Sequence, residues 1–310
     1  MDSPKLIRLA LLSALAASAI TGCGDDDEPA APPPLEQLGT YLPADAPVIT
    51  FVDLAEARAQ LGLPADADAL DFDAYEDFDA DDPTPEQQLV ETAVLGMPSL
   101  TSYVQTLEED PASAEFDGSK ITAAVNTIGD GYPMTIIVTT QPFEEIAEGL
   151  TALGWRTEGD VVVKEGERFE QVADGGDGVV IIGRNEIAAD VLADEPGGPT
   201  ELFELLSPAD QPVQAAVTGN PFDECVATIG GWENAALDEG VLRFGLADDQ
   251  QADVESITTE ELDETDTFDM GEPSVDGTFA EIPFTSPEDG PPGSSLRAFL
   301  TRFASVYDCK

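Results

Sequence analysis

The chain has 310 residues, 42% of them hydrophobic, and carries 64 Asp and Glu against 12 Lys and Arg, a formal net charge of −52. That apolar content supports a real core, so the chain is not disordered overall, and its length fits one large domain or two small ones. A surface this negative repels nucleic acid and anionic headgroups, and the absence of histidine removes Ser-His-Asp and Cys-His catalysis, HExxH zinc chemistry and histidine acid–base work.

The N-terminus opens with Lys5 and Arg8, followed by the uncharged run Leu9 to Ile20. That run is too short for a permanent membrane helix, which needs about 20 apolar residues. A short basic flank, a short apolar core and small closing residues are the marks of a removable secretion signal, residues 1–22. The closing residues Ile20-Thr21-Gly22-Cys23 resemble the lipobox of bacterial lipoproteins. The resemblance covers residues 1–23 and implies that Cys23 becomes the first mature residue and carries the lipid as a thioether. Two or three acyl chains would make that attachment stable, where one would be marginal. The next residues, Gly24 to Glu28 and then Pro29 to Pro34, are acidic and then proline-rich. Neither part can bury a core, so residues 23–34 read as a solvated tether that reaches roughly 30 Å when extended.

Val48 to Asp53 (VITFVD) reads as a strand, and Asp53 caps a short helix from Leu54 to Leu61. The opening from Leu42 to Pro47 (LPADAP), with its strand and helix, resembles several uncharacterised bacterial envelope lipoproteins and implies no activity. Asp66 to Asp82 is the most acidic stretch. Thr84-Pro85-Glu86-Gln87 has the order of a helix start: a Thr cap, Pro in the first turn and Gln three residues after the cap. That helix should turn Leu89, Ala93 and Val94 inward, and Ser99 should cap another. Ile121 to Ile128 and Met134 to Thr140 flank Gly129-Asp130-Gly131 and predict a hairpin. After Pro142 a helix places Phe143, Ile146, Ala147, Leu150 and Leu153 on one stripe and stops at Gly154. Val161–Val163, Phe169–Val172 and Val179–Ile182 predict a meander, with Asp174 to Gly178 as one turn, and Asn185 caps a further helix. Beyond the break at Glu195 to Pro199, the pattern predicts a short helix to Leu206, a strand Val213–Thr218 and a helix from about Phe222. Strands are expected at Val241–Leu246, near Phe268 and at Gly277–Phe284, and an amphipathic helix runs from Leu296 to Tyr307.

The chain hints at an internal repeat. Ala123-Ala124-Val125, Pro142-Phe143-Glu144-Glu145-Ile146 and Gly154-Trp155 match Ala215-Ala216-Val217, Pro221-Phe222-Asp223-Glu224-Cys225 and Gly231-Trp232. The resulting expectation is an α+β fold of antiparallel sheets packed with helices in two related lobes, 36–206 and 207–310. With Cys23 assigned to the lipid, Cys225 and Cys309 remain as an even pair in an exported chain, where disulfides persist. Their bond would contribute roughly 4 kcal/mol by the chain-entropy model.

Chemical motifs are sparse. No nucleotide-binding glycine motif sits between a strand and a helix, and the cysteine spacing does not fit zinc. Asp77, Asp79 and Asp81 offer oxygens at the first, third and fifth positions of a calcium loop. Asp82 then stands where Gly is required and Gln88 where Glu is required, so the loop fails as an EF-hand. Two readings stay open for this stretch: a looser Ca²⁺ or Mg²⁺ site with those aspartates as candidate ligands, or a solvated acidic face. The overall acidity likewise reads either as adaptation to a saline habitat or as a surface that recruits cations or cationic ligands. A carboxylate-based hydrolase has no specific support, because 64 acids offer pairs everywhere. The sequence therefore points to an extracytoplasmic, lipid-held envelope protein of non-catalytic binding or structural type, with no cofactor expected, no nucleic acid bound and no protein partner specified.

Overall fold

The fold follows from one continuous hydrogen-bonded sheet that runs through both halves of the chain. The computed structural model describes residues 35–39, 41–42, 48–71, 83–97, 100, 112, 115–127, 134–165, 170–183, 205–206, 212–219, 226–234, 240–246 and 269–285. All belong to one compact unit, residues 31–310. The helices are α1 (Leu35–Gly39), α2 (Leu54–Gln60), α3 (Pro85–Gly96) and α4 (Phe143–Ala152). The N-terminal strands are β1 (Val48–Asp53), β2 (Ile121–Thr127), β3 (Met134–Thr139), β4 (Arg156–Glu158), β5 (Val161–Val163), β6 (Gln171–Gly176) and β7 (Val179–Gly183). The remaining strands are β8 (Pro212–Gly219), β9 (Val226–Asn234), β10 (Gly240–Leu246), β11 (Asp269–Met270), β12 (Ser274–Asp276) and β13 (Phe279–Thr285).

These strands form a 13-stranded sheet in the order β11-β13-β10-β9-β8-β1-β2-β3-β7-β6-β5-β4, with β12 also on β13. Every pairing is antiparallel. Period-two alternation gives the sheet two apolar faces. On one face Phe51, Val125, Ile136, Ile181, Ala173 and Val161 stand opposite one another across six strands. The row continues on the other side of β1 through Ala215, Trp232 and Val241. This first face receives Leu35 and Leu38 of α1, together with Leu42, Leu205 and Leu206. On the second face Val52, Ala124, Ile137 and Val180 align. That face receives Leu54 and Ala57 of α2, Leu89, Ala93 and Met97 of α3, and Ile146 and Leu150 of α4. Each fully buried Leu or Ile contributes about 1.5–3 kcal/mol of transfer free energy, so the two faces together supply the core.

Local chemistry sets the helix ends and turns. Asp53 accepts a hydrogen bond from Glu56 N at 2.9 Å and starts α2. Thr84 and Gln87 form the expected capping box of α3, with Pro85 in its first turn. The stripe of α4 buries Ile146 and Leu150, and Gly154 follows the helix at φ +88°. Between β6 and β7 the turn is Asp177-Gly178, with φ of 50° and 77°. Both central residues are left-handed, which is the demand of a tight hairpin and the reason for an Asp-Gly pair there.

Several expectations require correction. The strands of 36–206 and 207–310 lie in one sheet, because β1 pairs with β2 on one side and β8 on the other; two lobes are not confirmed. The helix expected from about Phe222 gives way to β9 over Val226–Asn234, seated between β8 and β10. Val226, Thr228 and Ile229 favour a strand, and Gly230-Gly231 disfavours a helix. The tryptophans do not play equivalent parts, since Trp155 packs on the second face and Trp232 on the first. The turn expected at Asp174 to Gly178 shortens because β6 runs on to Gly176. The strand β4 carries the polar residues Arg156, Thr157 and Glu158, all exposed, and so left no apolar signal. The helices expected at Asn185 and at Leu296 to Tyr307 lie outside the described residues.

Thr84→Ala removes the side-chain acceptor of the α3 capping box and should destabilise the protein by about 1 kcal/mol. Urea unfolding should show a lower midpoint at an unchanged slope; a midpoint equal to that of the parent would mean that the box does not contribute.

Candidate functional site

The residues singled out by sequence for lipidation, disulfide formation and metal binding, Cys23, Cys225, Cys309, Asp77, Asp79 and Asp81, all lie outside the described residues. What the structure does describe is the base from which the acidic segment departs. Residues 66–71, its first six, form a turn that sits against the last turn of α2, the turn at 117–120 and the start of β2.

Arg58 organises this corner. It lies on the apolar stripe of α2, beside Leu54 and Ala57, and is only 1% exposed. Its Nε donates to Ala67 O, its Nη1 to Ile121 O and its Nη2 to Gly118 O, each at 2.8 Å. Burial lowers its proton affinity, and the charges of Asp68, Asp53 and Asp66 oppose that loss. A guanidinium stays protonated despite this burial because its proton affinity far exceeds that of the other side chains.

The carboxylates around it are held by backbone. Asp68 accepts from Leu70 N at 2.8 Å, and a Cβ on Gly118 would collide with the Asp68 carboxylate. Burial raises the Asp68 pKa above 3.8; the Leu70 amide pulls it down, while Asp71 and Asp117 push it further up. Asp53 is raised chiefly by burial as well; its bond from the Glu56 amide opposes this and the Glu56 charge adds to it. The facing turn is pinned in its own right: Asp117 N donates to Gln141 Oε1, Gln141 Nε2 to Glu115 O, and Ser119 N to Asp117 Oδ1, all at 3.0 Å.

A second buried cation lies on the opposite face of the sheet. Arg243, in β10, is 5% exposed; its Nε stands 3.0 Å from Glu281 Oε1 and its Nη1 donates to Leu205 O at 3.1 Å. The guanidinium carbon sits 3.8 Å from the centroid of the Phe279 ring, a cation–π contact. Burial lowers its proton affinity, against the charges of Glu281 and Asp276.

Both arginines were missed by reading motifs, yet each left a signal. Arg58 interrupts the stripe Leu54, Ala57, Leu61 with a charge, and Arg243 interrupts Val241-Leu242-Arg243-Phe244. In a chain with so few cations, a base on an apolar face marks a buried ion rather than a solvated one. Chemically, Arg58 holds three backbone carbonyls in place, while Arg243 holds one carbonyl and the Glu281 carboxylate. Among the described residues no group of three or more His, Cys, Asp or Glu is placed to hold a metal ion. Nor is any helix among them long and apolar enough to cross a membrane.

No protein-family model matches the chain, and no curated protein matches it. Among solved structures, three crystal forms of TP0453, a Treponema protein, are similar to it. Crystal form I has a TM-score of 0.46 and 13% identity over 84% of this chain and 96% of that one. Crystal form III has 0.45 and 12% over 84% and 97%, and crystal form IV has 0.45 and 10% over 81% and 92%. Such values are too distant to transfer a role.

The two raised aspartates fix a pH dependence. A carboxyl whose folded pKa is raised stabilises the fold below its unfolded pKa, and that stability is lost as pH rises through the folded value. Lowering the pH from neutral through the raised carboxyl range toward the ordinary value of 3.8 should therefore raise the contribution of these two groups to the melting temperature, and Asp68→Asn should flatten the profile there. A profile in Asp68→Asn as steep as that of the parent would remove Asp68 from the account. Molar NaCl should also raise the melting temperature by screening like charges. Calcium at matched ionic strength should add nothing; a calcium-specific rise of several degrees would instead establish a site and direct mutation to Asp77, Asp79 and Asp81.

Proposed function

We propose that this chain is an extracytoplasmic, membrane-tethered module of a bacterial envelope that acts by binding or scaffolding rather than by catalysis. The observation that carries the reading is the segment Met1 to Cys23: a basic flank, a short apolar run and the lipobox-like Ile20-Thr21-Gly22-Cys23. The acidic and proline-rich residues 24–34 support it, since they supply a solvated spacer before the first described helix at Leu35. The non-catalytic part rests on the composition, which lacks histidine altogether and offers no nucleophile with a base at a recognisable spacing. Within this reading the many carboxylates keep the module dispersed and solvated, and the tether, rather than surface charge, brings it to the membrane.

The reading is tested by mass spectrometry of the N-terminal peptide of the mature protein recovered from membranes. The expected N-terminus is Cys23 with diacylglycerol on its sulfur, and Cys23→Ala should leave the precursor unprocessed. A mature N-terminus at another residue, or an unmodified Cys23 thiol, would sink the proposal.

A further inference from the structure

Arg58 occupies a receptor that the backbone builds. Its three hydrogen bonds end on carbonyls from two separate stretches: Ala67 in the loop after α2, and Gly118 and Ile121 where the turn runs into β2. The acceptors meet Nε, Nη1 and Nη2 singly, each at 2.8 Å, so together they match the planar fork of a guanidinium. An ammonium is a compact point donor and cannot span the three. Gly118 is part of the construction, because a Cβ there would meet the Asp68 carboxylate and the Leu70 backbone. The wall of the receptor and Asp68, an aspartate of the acidic segment, thus lie side by side with no room for a Cβ between them.

We propose that this corner is a guanidinium-binding site occupied in cis by Arg58, and that its occupancy orders the loop at residues 62–71 from which the acidic segment departs. The ligand class is a small planar cation with divergent N–H donors. The chain supplies its own, 63 residues before the Ile121 carbonyl that it reaches and 60 before that of Gly118. The site is therefore a device for placing Asp66, Asp68 and Asp71, independent of how the protein is held at a membrane.

The test is chemical rescue. Arg58→Ala should lower the melting temperature by roughly 10 °C, since it strips three buried carbonyls of a charged donor. Guanidinium chloride at about 10 mM, far below the molar range in which it unfolds proteins, should restore several degrees. Methylammonium chloride and NaCl at the same ionic strength should not, and the parent protein should respond to none of the three. Hydrogen exchange supplies a local readout: amides of residues 62–71 and 117–121 should lose protection in the variant and regain it with guanidinium. Arg58→Lys keeps the charge but not the fork, and should melt below the parent without rescue. The proposal is overturned if guanidinium and methylammonium act alike on Arg58→Ala, if Arg58→Lys is as stable as the parent, or if Arg58→Ala stays unfolded in guanidinium.

Discussion

The constraint on which the fold depends is the placement of β1 between β2 and β8. Val48–Asp53 pairs with residues 123–127 on one side and 214–218 on the other, so one strand of six residues joins segments from across the chain. Its middle residues are buried on both faces: Phe51 belongs to one core and Val52 to the other. Closing loops of this length carries an entropic penalty that grows slowly with length but must be met before the distant strands reward it. The two apolar rows that meet at β1 supply that reward, because each extends over several strands on both sides. A slip of one residue in β1 would exchange its two faces and mismatch both rows together.

The second constraint is charge. A chain with a net charge of −52 must keep carboxylates solvated and apart while still closing a core. On α4 the acids Glu144, Glu145 and Glu148 are exposed while Ile146 and Leu150 of the same helix are buried. On the described part of α4 the first-turn acids Glu144 and Glu145 lie near the helix N-terminus, where the backbone dipole favours them. The scarce cations of the chain are treated in the opposite way. Arg58 and Arg243 are buried on opposite faces, Arg58 holding the loop carbonyl of Ala67 and Arg243 the helical carbonyl of Leu205. A buried arginine is worth its desolvation only when its donors are met, and carbonyls from elements distant in sequence meet them here.

Burial of acids works against this economy at the corner around Arg58. Asp53 caps α2 and Asp68 holds the turn at Leu70, so both are placed by backbone geometry rather than by an ion pair. Their carboxyls are raised because the geometry takes them from water and brings other acids near. The arginine compensates at a distance without bonding either one. Local structure, burial and long-range charge are thus settled together in one small volume.

Much of the element pattern was legible without coordinates. The capping box at Thr84 and Gln87, the strand of β1, the β2–β3 hairpin, the helix after Pro142 and the meander of β5, β6 and β7 follow from short-range rules, and those rules need only neighbours in sequence. The proposed signal segment and lipid-bearing Cys23 are readings of a linear stretch as well, made from residue type and order alone. Other features depended on which strands meet. Residues 226–234 became a strand because β8 and β10 offer ladders on both sides, and β4 joined the sheet by pairing with β5 despite three exposed polar residues. The resemblance between the segments around Trp155 and Trp232 did not survive, since the sheet sends the two rings to opposite faces. Arg58 shows the division most clearly. The motif reading passed over it, although its charge interrupts an apolar helix stripe, and its role was decided by Gly118 and Ile121, far along the chain, because a carbonyl can receive a guanidinium only where the tertiary fold brings it within hydrogen-bond reach.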